Sequence, residues 1–225
     1  MNLLLGGVCV LIPIIGPIVL LGWLVTVFWA RNEQTAESYP PFDFANFGKY
    51  LERGLWPFLV TFIPSMLIVP LVWVALIPLM LVGGLSAGNE GNAAACLGLV
   101  VALVVILVSV ALMLVMIVVL VPLHISAAIT QDFLKAFNFA FLKRFVALTW
   151  KETVLGSLFL MVAGGVLMCV GLLVVCVGMY FAIVPVYFAW GHLNRQLYAL
   201  FLSRGGEALP LSAKLRDRVI TPPPL

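Results

Sequence analysis

The sequence predicts an all-α protein, a polytopic bundle of transmembrane helices with about five spans, some broken by proline and glycine, and two interfacial amphipathic helices. Three observations lead there. Of 225 residues, 64% are hydrophobic and only 9% are charged, where soluble domains hold roughly 45–50% and about 25%. The mean hydropathy is +1.21. Uncharged runs are long enough to cross a hydrocarbon core of about 30 Å, which takes about 20 helical residues. A water-soluble globule is excluded, and at this length one domain is expected. The spans occupy 1–203, followed by a tail over 204–225.

The first run extends from Leu3 to Ala30, the second from Leu55 to Leu85, the third from Ala93 to Leu123 and the fourth from Thr153 to Trp190. The fourth would make roughly 57 Å of helix, nearly twice the core thickness, so it divides near Gly178. That gives spans over Thr153–Val177 and Met179–Leu202. The first run contains Gly6, Gly7, Pro13, Gly16 and Pro17. Proline removes a backbone donor and clashes one turn back, so a break falls at Ile12–Ile18. A kinked single crossing is the preferred form; a re-entrant hairpin, which would put the N-terminus inside, is the alternative. There is no basic n-region of a cleavable signal peptide. Prolines 64, 70 and 78 predict a kinked second span.

Lys and Arg collect in cytoplasmic segments. All 12 lie after the first run (Arg31, Lys49, Arg53), after the third (Lys135, Lys143, Arg144, Lys151) or after the last (Arg195, Arg204, Lys214, Arg216, Arg218). The turn holding Glu90 and the turn near Gly178 contain none, so they face outward. The expected location is a prokaryotic inner membrane, multi-pass, with the C-terminus in the cytoplasm.

Two segments are expected to lie on the membrane. From Asn46, Phe47, Tyr50, Leu51 and Leu55 recur at helical spacing, with Lys49, Glu52 and Arg53 elsewhere. A second helix is capped by Thr130, with Asp132 in its first turn. Phe133, Phe137, Phe141, Phe145 and Leu148 fall near one face; Lys135, Asn138 and Lys143 fall away from it. Such a helix can sense lipid or dock a partner, or serve as an ordinary connector. The tail, with Gly205, Gly206 and a closing Thr-Pro-Pro-Pro-Leu, cannot build a core and should be mobile unless a partner orders it.

The stretch Gly6-Gly7 through Leu11-Ile12-Pro13-Ile14-Ile15-Gly16-Pro17 to Leu21-Gly22-Trp23, then a basic residue and Tyr39-Pro-Pro-Phe-Asp-Phe, resembles a prokaryotic family of polytopic membrane proteins, domain of unknown function 4013. The later Gly178-Met-Tyr-Phe and His192-Leu are similar as well. The resemblance covers most of the chain, and the Pro-Ile-Ile-Gly-Pro core is its most distinctive part. The chain departs from it by starting almost directly at the first span, and by Asn194-Arg195 where members tend towards a glycine. The resemblance implies a helical bundle and carries over no activity and no catalytic residues.

No Asp or Glu falls inside a span, which disfavours ion-coupled transport. One polar constellation remains, around Tyr187, Trp190, His192, Asn194, Arg195, Gln196 and Tyr198. Arg195 sits within a turn of the cytoplasmic boundary, where it can snorkel; alternatively His192 and Arg195 bind a lipid headgroup or a partner's carboxylate. His124 and His192 lack any haem or pigment motif, and His124 is expected to donate to a backbone carbonyl. Cys9, Cys96, Cys169 and Cys176 lack metal-ligand spacing and read as free thiols in the outer halves of spans. No phosphate loop, nucleophile elbow or zincin motif is present. Gly16 and Gly22 in the first span, and Gly164, Gly165, Gly171 and Gly178 later, permit close helix approach within the chain or against another subunit.

The resulting expectation is a non-catalytic protein without cofactor or metal, an accessory or scaffold subunit in a larger membrane complex. Its partners would be lipids and other membrane subunits, with no nucleic acid. The residues expected to make those contacts are His192, Asn194, Arg195, Lys135, Lys143 and Arg144. A small-solute or lipid transporter or channel is the alternative, suggested by the broken first and second spans.

Overall fold

A computed structural model describes residues 2–30, 41–87, 92–174 and 178–216. Helices α1 (Asn2–Val10), α2 (Ile15–Trp29), α3 (Phe47–Ala87), α4 (Asn92–Thr130), α5 (Phe133–Ala136), α6 (Phe139–Leu173) and α7 (Gly178–Ser203) follow in order, with no strand among the described residues. Arg31, Tyr39 and Pro40, Glu90, Cys176 and the residues from Asp217 onward lie outside the described residues.

Local chemistry sets the boundaries. The Asp43 carboxylate accepts from the Ala45 amide at 2.9 Å and starts the 3-10 turn Phe44–Asn46 that leads into α3. Asp132 caps α5 through the Leu134 and Lys135 amides, and Asn138 caps α6 through the Phe141 amide at 3.2 Å. α4 stops at Gln131, whose φ of 51° is left-handed; its side-chain amide donates to the Ala128 carbonyl at 2.9 Å. α7 ends in a Schellman motif: Gly205 takes φ 84°, its amide reaches the Leu202 carbonyl, and the Gly206 amide reaches the Phe201 carbonyl.

The kinked first crossing is not formed. α1 and α2 are an antiparallel hairpin: a Cβ added at Gly6 would lie 3.7 Å from Leu20, and one at Gly16 2.8 Å from the Val10 Cα. A continuous helix would hold positions 6 and 20 roughly 21 Å apart. The reversal falls where Pro13 withholds a donor and Ile14 takes φ 65°, a strained value for a β-branched residue. Pro17 is harmless because it stands in the first turn of α2, where amides have no partner anyway. The break expected near Gly178 is present, between Leu173 and Gly178.

Neither expected interfacial segment forms a separate amphipathic helix. The first is simply the start of α3, and Tyr50 is buried against Trp23 and Phe42 rather than in lipid. The second divides into α5 and the first turns of α6. Phe141 and Phe145 pack on Phe201 at centroid distances of 5.4 and 5.2 Å, while Thr130 closes α4 instead of opening a helix. The tail is also ordered by its own chain as far as Arg216: Leu215 is fully buried beside Val25 and Ala128, and the Ser212 amide donates to the Ile129 carbonyl at 3.0 Å.

By length and composition, two helical stretches among the described residues can cross a membrane, Leu99–Thr130 and Phe133–Leu173. Only 6% and 11% of their most apolar windows are buried. The core helix of a soluble protein would be mostly buried, so these features point to a membrane protein.

Candidate functional site

Arg53 organises the basic end of the bundle. It is 5% exposed, although its place in the sequence suggested the polar face of a surface helix. Its guanidinium donates to the Thr26 hydroxyl of α2 at 3.0 Å and to the Lys214 carbonyl of the tail at 2.8 Å. Pro57, four residues on, has no amide to offer the Arg53 carbonyl, and Gln131 at the end of α4 donates there instead at 3.2 Å. One residue thus joins α2, α3, α4 and the tail.

Outer ion pairs tighten the same end. Lys214 meets Glu52 at 2.6 Å, and its ammonium holds the Glu52 carboxyl below the usual range. Arg204 pairs with Glu152 at 2.6 Å and donates to the Leu148 carbonyl, while Arg144 reaches Glu207 and the Gly205 carbonyl. Arg53, Arg144, Arg204 and Lys214, far apart in sequence, are thus tied together through the tail.

The six residues expected to contact partners do not form one site. Lys135 pairs with Asp132 at 3.3 Å on an exposed turn, Lys143 is exposed, and Arg144 is engaged by the tail. His192 is exposed beside Phe28. Arg195 is half-buried and donates to the Phe28 carbonyl. Asn194 is 1% exposed and faces inward, so it is not available to a partner. His124 is buried with its ring on Trp190 at 4.1 Å; its Nδ1 has no protein partner among the described residues, contrary to the expected bond to a carbonyl. Cys9 is buried, and Cys96 and Cys169 are exposed free thiols.

A concavity of ligand size lies elsewhere. An open cleft of about 620 Å³ runs between α3, α4, α6 and α7, with Leu21 of α2 at its edge. Phe58, Phe62, Met113, Ile117, Leu120, Leu160, Met161 and Val186 give it apolar walls, and Trp190 and Tyr187 lie on the α7 side. Its hydroxyl-bearing residues are Thr61, Ser65, Ser157 and Tyr187. Thr61 donates to the Pro57 carbonyl at 2.9 Å and Ser65 to the Thr61 carbonyl at 2.7 Å, so both are committed to their own helix. No charged side chain lines the cleft, and no group of three or more His, Cys, Asp or Glu converges among the described residues. The sequence held a faint signal, since Thr61 and Ser65 are polar notches one turn apart in an apolar run. Their meeting with Ser157 and Tyr187 depends on helix pairing, which periodicity does not reveal.

No curated protein and no solved structure matches the chain. The model of a protein family of unknown function, DUF4013, matches residues 5–177, which takes in most of α1 and all of α2 to α6. The chain belongs to the DUF4013 family.

Proposed function

We infer that the chain is a non-catalytic membrane protein that holds an apolar, lipid-like molecule in the cleft between α3, α4, α6 and α7. The size and lining of the cleft support this reading. Its volume of about 620 Å³ falls within the range of about 300–1,000 Å³ typical of small-molecule sites. An uncharged apolar lining suits an acyl or isoprenoid chain and repels ions.

In this reading α3, α4, α6 and α7 each cross a prokaryotic inner membrane, and the α1–α2 hairpin enters and leaves on the cytoplasmic side. Four crossings with both termini inside keep all 12 basic residues cytoplasmic. The accessory-subunit reading loses one support, because the tail needs no partner for its order up to Arg216. It keeps another: Gly165 faces outward with nothing within 4 Å of an added Cβ, beside exposed Met161, Val162 and Cys169, so α6 offers a smooth strip to a neighbouring helix.

A photoactivatable fatty acid incorporated into the host membrane tests the cleft. Cross-links are expected on α3 around Thr61 and on α6 around Ser157 and Leu160. Labelling spread evenly over the exposed face of α4 from Leu99 to Val119 would contradict a defined site.

A further inference from the structure

A second, smaller site shares Leu21 and Trp190 with the cleft. A cavity of about 10 Å³ is enclosed by α2, α4 and α7, with Phe28, His124, Trp190 and Asn194 in its wall. His124 is 5% exposed and Asn194 1% exposed. The Nδ1 of His124 and both amide atoms of Asn194 are buried without a hydrogen-bond partner among the described residues. Buried polar atoms in folded proteins are nearly always satisfied, by protein or by ordered water. These three belong to two side chains that share one wall and come from helices more than sixty positions apart in sequence.

We propose that this cavity is a binding site for a single water molecule, which bridges Asn194 of α7 to His124 of α4. The volume is about that of one probe sphere, the smallest space that admits a water, and two to four polar partners are what such a water requires. Asn194 offers a donor and an acceptor; the neutral imidazole Nδ1 is a donor or an acceptor according to tautomer, and water complements either. Apart from the indole N–H groups of Trp29 and Trp190, the other wall side chains are apolar, and His124 and Asn194 are the two with buried polar atoms that have no partner among the described residues. The bridge joins α7 to α4 behind α2 and rests on no assumption about the cleft.

Two measurements on the full-length chain test the proposal. A crystal structure grown from a lipidic mesophase, at a resolution that reveals waters, should contain one within hydrogen-bond distance of both Asn194 and His124. A dry cavity, or an Asn194 amide bonded directly to protein, would overturn the proposal. In thermal unfolding, Asn194→Leu should lower Tm by about 5 °C, since His124 then loses its partner, and the double variant Asn194→Leu/His124→Phe should recover much of that loss. If Asn194→Leu alone raises Tm, the amide was unsatisfied and the bridge does not exist.

Discussion

Gly22→Ala is expected to prevent the bundle from assembling, or to cost at least about 3 kcal/mol where it does assemble. α2 crosses α3 with backbone against backbone. A Cβ at Gly22 would collide with the Tyr50 carbonyl oxygen and lie 2.8 Å from the Gly54 amide nitrogen. A Cβ at Gly54 would collide in return with the Ile18 carbonyl and lie 2.7 Å from the Gly22 amide nitrogen. No rotamer change relieves a clash with main chain, so the helices must separate. Separation would strip contacts from Trp23, Tyr50 and Phe42 and pull Thr26 away from Arg53. Gly48 provides the control, because a Cβ there meets nothing within 4 Å. Gly48→Ala, near the start of α3, should be neutral or stabilising by up to about 1 kcal/mol. Monodispersity and Tm in mild detergent read both, and equal effects from Gly22→Ala and Gly48→Ala would refute the close crossing.

Arg53→Ala carries the second large effect, a loss of about 3 kcal/mol or more. Hydrogen bonds to a charged group contribute roughly 1.5–3 kcal/mol each, and the Thr26 hydroxyl and Lys214 carbonyl are left with one partner fewer. The tail should detach first, since Arg53 holds its backbone directly. Limited trypsin digestion should then cut at Lys214 and Arg216 much faster than in the wild type. Arg53→Lys should rescue only part of the loss, because one ammonium on a flexible stem does not reproduce a planar fork reaching two acceptors on different elements. A full rescue by lysine would mean that charge alone, not the fork, matters at this position.

What the residues revealed beforehand follows from what hydropathy measures. Run lengths located the apolar middles of α3, α4, α6 and α7 and the break before Gly178, but not the polar turns that extend the helices, since α3 starts at Phe47 rather than Leu55, α4 runs on to Thr130 and α6 starts at Phe139 rather than Thr153. Direction is a different property. The same Pro13-Ile-Ile-Gly16-Pro17 string serves a kink or a reversal, and the choice is made by the contacts of Gly6 and Gly16 with α2 and α1, which no local pattern contains. The aromatic residues misled for a related reason. Phe141, Phe145 and Tyr50 lie on apolar faces whether the neighbour is lipid or Phe201 and Trp23. Arg53 falls off the apolar face of its helix, and its burial follows from Thr26, Gln131 and Lys214, which come from three distant segments. The tail lacks the apolar content for a core of its own, yet Leu215 needs only a place in one already built by Val25 and Ala128.

The central claim concerns the occupant of the cleft, and native mass spectrometry of the chain released from its own membrane in mild detergent tests it most directly. The wild type should retain one lipid-sized adduct per chain through exchange into lipid-free detergent. Leu160→Trp, which places an indole in the cleft, should retain little or none while keeping the wild-type Tm. A wild-type chain without an adduct, or an adduct unaffected by Leu160→Trp, would contradict the account; a fixed set of other subunits in place of lipid would favour the accessory role.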